Sequence, residues 1–200
     1  MDTDYNVTIT GTADTNDVES IFADTSGVID ATFGTSDDTL NINFDELDST
    51  DILDFGNGDD TLAFDTAVSG GLDFSNISNL ENLNLSSGND NITLSGDEPS
   101  NINGGDGNDQ FTLDFSTVRT LAGGLNTDTV KFTGNTSTIS TDTDFTTYSS
   151  ITNVERLDIS SLSLNTLDSS TEFEFTDALL QSWTGSTSGN LTLSLTSAQA

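Results

Sequence analysis

The chain contains no cysteine and no histidine. Disulfides, thiol nucleophiles, zinc sites of the usual kind and imidazole-based catalytic triads are therefore excluded. Oxygen is the only ligand chemistry present in quantity. Basic residues are nearly as scarce: 3 Lys and Arg stand against 34 Asp and Glu, a formal charge of -31. Binding to nucleic acid or to an anionic lipid surface is opposed by that balance, and cations are the natural partners. Proline occurs once, at Pro99, and no Pro/Ser linker divides the chain, which reads as one elongated domain over 1–200. No apolar stretch approaches the length of a transmembrane helix, so no membrane insertion is expected. The opening Met1-Asp2-Thr3-Asp4 lacks a basic region followed by an apolar run, so the expectation is either a soluble chain or a fragment whose export signal lies elsewhere.

What is present must overcome strong self-repulsion in any compact state. Leu, Ile, Val and Phe number 51 of 200 residues, above the level at which so charged a sequence stays disordered, so a thin core can form. The acids are 27 Asp and 7 Glu. That bias, beside Gly, Asn, Ser and Thr, favours turns and oxygen-rich loops over helices. Halophilic adaptation would explain a solvated acidic surface, but it does not predict Asp at fixed positions after Gly.

Internal repeats set the fold. Ile92, Ile102, Phe111, Leu121, Val130 and Ile139 recur at intervals of 9 or 10 residues. Each follows a polar or Gly-rich stretch, so the unit is a tight turn and a very short strand. Phe33-Gly34-Thr35-Ser36-Asp37-Asp38-Thr39-Leu40 matches Phe55-Gly56-Asn57-Gly58-Asp59-Asp60-Thr61-Leu62 at an offset of 22, which suggests an insertion between them. A longer duplicate pairs Ile77-Ser78-Asn79-Leu80-Glu81-Asn82-Leu83-Asn84-Leu85 with Ile151-Thr152-Asn153-Val154-Glu155-Arg156-Leu157-Asp158-Ile159. Its alternating Leu83, Leu85, Leu157 and Ile159 read as strands with one buried face. Thr176–Trp183 is the one helical stretch, one or two turns long, and Leu191, Leu193 and Leu195 alternate as a final strand. The expected fold is all-β: a parallel β-solenoid of β-roll or β-helix type, with short irregular coils and one short helix near the C-terminus. The less regular part begins near residue 141.

Gly104-Gly105-Asp106-Gly107-Asn108-Asp109-Gln110-Phe111-Thr112 fits the pattern G-G-x-G-x-D-x-U-x at every fixed position. Here the chain resembles the RTX (repeats-in-toxin) family of calcium-binding proteins, which includes secreted toxins, proteases, adhesins and surface-layer proteins. The resemblance covers roughly residues 33–140, and is interrupted at Leu94 and by apparent insertions near 41–53 and 63–84. It implies a β-roll in which two nonapeptides make one turn, with Ca2+ held in the turns by main-chain carbonyls and the repeat Asp while U points inward. The chemistry agrees, because calcium takes six to eight oxygens in a flexible shell and glycine lets carbonyls converge on it.

If two nonapeptides make a coil, Asp90, Asp109 and Asp128, spaced 19 apart, stack along one edge and hold about two ions in the gaps between them. The candidate metal residues there are Gly88, Asn89, Asp90, Gly104, Gly105, Asp106, Gly107, Asn108, Asp109, Asn126 and Asp128. Ser100, Arg119 and Ser137 fall on the opposite edge, expected to be metal-free. Asp38 and Asp60, with Gly56 and Gly58, form a second candidate edge. For Asp37 and Asp38 an ordinary Asx turn competes with a ligand role; Asp14 and Asp17 are weaker. For Glu81 and Glu155 a ligand role is open, but the structural reading comes first, with Asn79 and Asn153 at hydrogen-bonded ladder or turn positions.

Ligand carboxylates repel one another until metal arrives, so the chain is expected to be largely disordered without calcium and folded with it. The resemblance implies type I secretion and folding outside the cell. The leading expectation is a non-enzymatic structural module at the bacterial cell surface, in a surface layer or an adhesin shaft, that self-associates or meets neighbouring subunits. A glycan- or cell-binding module is the alternative, with Trp183, Tyr5 and Tyr148 as its only polar aromatics. A polysaccharide-active β-helix enzyme comes third, because the chain lacks His and any basic cluster near the Asp sites.

Overall fold

A computed structural model of the chain describes residues 7–10, 18–21, 28–72, 74–94, 99–114, 119–133, 143–144, 150–161, 173–174, 177–184 and 191–194. In chain order the strands are β1 (Val7–Thr10), β2 (Val18–Ile21), β3 (Ile29–Thr32), β4 (Thr39–Ile42), β5 (Ile52–Asp54), β6 (Thr61–Phe64) and β7 (Ser69–Gly71). They continue as β8 (Ile77–Ser78), β9 (Asn82–Asn84), β10 (Asn91–Thr93), β11 (Asn101–Asn103), β12 (Gln110–Asp114) and β13 (Thr120–Ala122). The last are β14 (Thr129–Thr133), β15 (Thr143–Asp144), β16 (Ile151–Thr152), β17 (Arg156–Asp158), β18 (Phe173–Glu174) and β19 (Thr192–Ser194), with helix α1 (Asp177–Thr184) before β19. Among the described residues every strand pairing is parallel, which makes the fold a β-solenoid.

The strands are short because each carries only one or two apolar residues before the next turn signal, and their side chains alternate in and out with period two. Burial follows that alternation, as in Thr39–Ile42, Gln110–Asp114 and Thr129–Thr133. Parallel register then stacks like on like. In the seven-stranded sheet, ordered β16-β13-β11-β9-β6-β4-β2, Leu40, Leu62, Leu83, Ile102, Leu121 and Ile151 form one buried row. In the six-stranded sheet, ordered β19-β17-β14-β12-β10-β7, Ile92, Phe111, Val130 and Leu157 form another. Phe33 and Phe55 stack at 5.1 Å in the first half. Of the apolar beat, Ile139 lies outside the described residues.

The 22-residue offset is itself a coil length. It recurs between β1 and β3, β3 and β5, β4 and β6, and β7 and β10. The segments expected to be insertions, 41–53 and 63–84, hold β5, β7, β8 and β9 and belong to regular coils. The coil shortens to 19 residues from β9 through β11 to β13 and from β10 through β12 to β14. In the first half each coil alternates between the seven-stranded sheet and a four-stranded sheet, ordered β1-β3-β5-β8. The chain from β6 through β7 and β8 to β9 visits the seven-, six- and four-stranded sheets, and beyond it the described strands belong to the six- and seven-stranded sheets, apart from β15 and β18, which pair with each other. Leu94, expected to interrupt the repeat, is buried in the core.

The duplicated Ile-x-Asn-x-Glu phrase makes a tighter corner than the Gly-Asp turns. Leu53 and Leu62 are nine residues apart, whereas their partners in the next coil, Ile77 and Leu83, are six apart. Leu121 and Val130 are likewise nine apart, and their partners Ile151 and Leu157 six. The tighter corner needs one left-handed residue, and Asn79 (φ 57) and Asn153 (φ 52) supply it. A non-glycine residue there costs about 1 kcal/mol, less for Asn, whose side chain bonds locally. Asn153→Ala is expected to be less stable than Asn153→Gly by about 1 kcal/mol, read from urea midpoints.

Helix α1 closes the end of the seven-stranded sheet. Leu179 and Trp183, four apart on one helical face, are buried. Ser182 Oγ donates to the Ile151 carbonyl at 3.1 Å, and the Val154 N–H donates to the Trp183 carbonyl. No described helix is long and apolar enough to cross a membrane.

Candidate metal centre

The Gly-Asp turns lie between the sheets, so their aspartates stack coil upon coil. On one edge, Asp109 Oδ1 accepts the Asp90 N–H at 2.8 Å and Asp128 Oδ1 accepts the Asp109 N–H at 2.9 Å. Glu155 Oε2 accepts the Asp128 N–H at 2.9 Å and ends the ladder. On the other edge, Asp60 Oδ1 accepts the Asp38 N–H at 2.7 Å, and Glu81 Oε2 accepts the Asp60 N–H at 3.0 Å. Each ladder therefore ends on the glutamate of an Ile-x-Asn-x-Glu phrase.

Edge membership differs from the expectation in one respect. The Asp38, Asp60, Glu81 edge continues as Ser100 and Arg119; residue 149, next in register, and Ser137 lie outside the described residues. The offset from β13 to β16 is 30 residues, against 19 from β11 to β13. The carboxylates thus change edges where the coil shortens. Arg119 is buried and donates from Nη1 to the Pro99 carbonyl at 2.7 Å.

Asp38, Asp60, Asp90, Asp109 and Asp128 are all buried, none more than 2 % exposed. Asp60, Asp109 and Asp128 each bury a second oxygen, Oδ2, that has no hydrogen-bond partner. Such an atom costs on the order of 1–3 kcal/mol, and more when charged. Asp90 escapes this cost because Ser86 Oγ lies 3.2 Å from its Oδ2. In the next coils the position of Ser86 is occupied by Gly105 and Gly124, and no side chain there can donate.

At the glycine corners the backbone packs closely against carbonyl oxygens beside the aspartates. A β-carbon on Gly104 would overlap the Gly123 carbonyl oxygen and lie 2.8 Å from Asp109 Oδ2. One on Gly123 would overlap the Asn153 carbonyl oxygen and lie 2.7 Å from Asp128 Oδ2. On the other side of Asp109, a β-carbon on Gly107 would overlap the Gly88 carbonyl oxygen and lie 2.8 Å from Asp109 Oδ1. Gly58 repeats this with the Ser36 carbonyl and Asp60 Oδ1 at 2.8 Å. Gly56 packs on the Gly34 carbonyl. A hard divalent cation fits this donor set of one carboxylate oxygen and main-chain carbonyls. Among the described residues no three acidic side chains group closely enough to hold a metal by themselves, so carbonyls are indispensable to such a site.

Burial dominates the electrostatics. Loss of water pushes the Asp109 carboxyl up to about 7 and that of Asp128 up to about 6. The Asp90 and Asp109 N–H groups respectively pull these values down, while adjacent carboxylates push them further up. Asp60 and Asp90 are raised for the same first reason.

The other candidates face outward. Asn89, Asp106, Asn108 and Asn126 are exposed; Asn89 Oδ1 accepts the Asn108 N–H at 2.8 Å, and Asp106 bridges to Leu125 through the backbone. Asp37 Oδ1 accepts the Asp59 N–H at 2.9 Å, the role of a turn residue. Asp14 and Asp17 lie outside the described residues. Asp51 was not singled out by sequence: it is buried, with Oδ1 accepting the Ile29 N–H and Oδ2 the Asp48 N–H. Its 22-residue distance from Ile29 was the available signal. A cavity of 180 Å³ lined by Phe44, Leu47, Asp48, Ser49, Gly71 and Leu72 lies apart from both ladders. No family model, curated protein or solved structure matches the chain.

Proposed function

We propose that the chain is a calcium-dependent structural module of a secreted bacterial cell-surface protein, a surface-layer unit or adhesin shaft whose coils are locked together by ions at the aspartate ladders. The observation that carries this reading is the set of buried, partnerless Oδ2 atoms of Asp60, Asp109 and Asp128 at glycine corners rich in carbonyl oxygen. Calcium bound there supplies positive charge to carboxylates that otherwise repel one another. The residues that would hold it are Asp109 and Asp128 with the Gly104, Gly105, Gly107 and Gly123 backbone on one edge, and Asp60 with the Gly56 and Gly58 backbone on the other. Asp38 and Asp90 hold the neighbouring coils in register. Folding coupled to calcium suits passage through a type I secretion channel as an unfolded chain, and a rigid rod with regular edges suits contact with neighbouring subunits.

The glycan reading loses its best aromatic, because Trp183 is fully buried, and Tyr5 and Tyr148 lie outside the described residues. The proposal is tested by native mass spectrometry with calcium: the wild type is expected to take up discrete calcium ions, and Asp109→Asn to take up fewer. A wild type that binds no calcium at millimolar concentration refutes it.

A further inference from the structure

The nonapeptide pattern ends before residue 134, yet the last aspartate of its edge, Asp128, still has a buried partnerless oxygen. What faces that oxygen is the second Ile-x-Asn-x-Glu phrase. Gly123 stands over the Asn153 carbonyl as Gly104 stands over the Gly123 carbonyl, one coil earlier. Glu155 Oε2 accepts the Asp128 N–H at 2.9 Å as Asp128 Oδ1 accepts that of Asp109. Carbonyl for carbonyl and carboxylate for carboxylate, the phrase reproduces the donors of a Gly-Asp turn with three fewer residues in the corner. The shorter corner sets the backbone of residue 155 differently from that of an Asp in the longer turn. The extra methylene of Glu restores the reach. Left-handed Asn153 presents its carbonyl without a glycine.

We infer that the Asn153 carbonyl and the Glu155 carboxylate, with Asp128 Oδ2, form an additional divalent-cation position that closes the ladder, outside any nonapeptide. It rests on the cation reading above. Glu155 differs from the buried aspartates in being only half-buried, so this position opens to solvent on one side. It is a point of ion entry to the ladder's end, with water completing the oxygen shell.

The molecule carries its own reporter. Trp183 is the only tryptophan, and its carbonyl accepts the N–H of Val154, the residue between Asn153 and Glu155. Terbium, a calcium-sized trivalent probe, bound at this position is expected to emit on excitation of the indole, and calcium is expected to displace it. Glu155→Gln keeps an oxygen to accept the Asp128 N–H but removes the charge. It is expected to weaken binding at this position by roughly tenfold or more, to abolish most of the indole-sensitised emission, and to lower calcium uptake by one ion in native mass spectrometry.

Wild-type protein that binds terbium but gives no indole-sensitised emission overturns the inference without recourse to any variant. So does Glu155→Gln with wild-type emission and ion count. Wild type that takes up neither terbium nor calcium overturns the cation reading itself, and this inference with it.

Discussion

In excess chelator at about pH 8 the chain is expected to lose its β-sheet circular dichroism, and acid alone, without calcium, is expected to bring it back. The cause is the buried aspartates. An unfolded chain presents them near their ordinary 3.8, whereas the folded ladder pushes Asp109 up to about 7 and Asp128 up to about 6, with Asp60 and Asp90 raised too. Between those limits the folded state binds more protons than the unfolded one. Stability from this source is complete below 3.8 and is lost as pH rises through about 6 to 7. A proton and a calcium ion thus do the same work on the ladder, each removing charge that burial cannot tolerate. At about pH 5, still above the isoelectric point near 4.1, the metal-free chain is expected to regain much of its β signal, while calcium produces the same change at neutral pH. A full β signal in chelator at about pH 8 would show that the fold needs neither.

The fold class was legible because its signal is one-dimensional. A β-solenoid repeats the same stacking decision at each coil, and the beat of Ile92, Ile102, Phe111, Leu121 and Val130 records it directly: alternate members are register partners in the two sheets. The 22-residue coil was harder to see. Its corner from β4 to β5 passes through Phe44-Asp45-Glu46, a 3-10 turn, which has none of the Gly-Asp grammar of the other turns and reads as an insert. Its strands are visible only after the register Thr39 to Thr61 is imposed.

The candidate site was legible to the level of its aspartates. Spacing of 19 placed Asp90, Asp109 and Asp128 on one edge because coil length is the ladder interval. Spacing could not show that the two candidate edges trade carboxylates along the solenoid, since that depends on the lost four-stranded sheet and the shortened coil. Nor could it separate Asp90 from Asp109, whose difference lies in Ser86 Oγ reaching one carboxylate while Gly105 reaches nothing in the next coil. The glutamates were visible as a duplicate, but only the nine-to-six shortening of the corner explains why each ladder ends on Glu instead of Asp.

Gly124→Ala is expected to be strongly destabilising, and Gly71→Ala nearly silent. Gly124 sits at φ +111, where an L side chain is strained whatever the space, and its β-carbon would overlap the Gly105 carbonyl oxygen, with that residue's backbone carbon 2.9 Å away. The neighbour is backbone in a parallel ladder, where the Leu125 N–H donates to the same Gly105 oxygen, so it cannot step aside without opening the coil. Backbone strain of about 1–3 kcal/mol and overpacking of similar size give roughly 2–6 kcal/mol, a large fraction of a domain's stability. Gly71 has ordinary backbone geometry, is exposed, and would meet only Thr93 Cβ at 3.9 Å, so its alanine is expected within about 0.5 kcal/mol of wild type. Urea melts with saturating calcium compare the two. If Gly124→Ala matches Gly71→Ala, the coils are not in van der Waals contact through their glycine corners, and the donor geometry built on that contact fails with it.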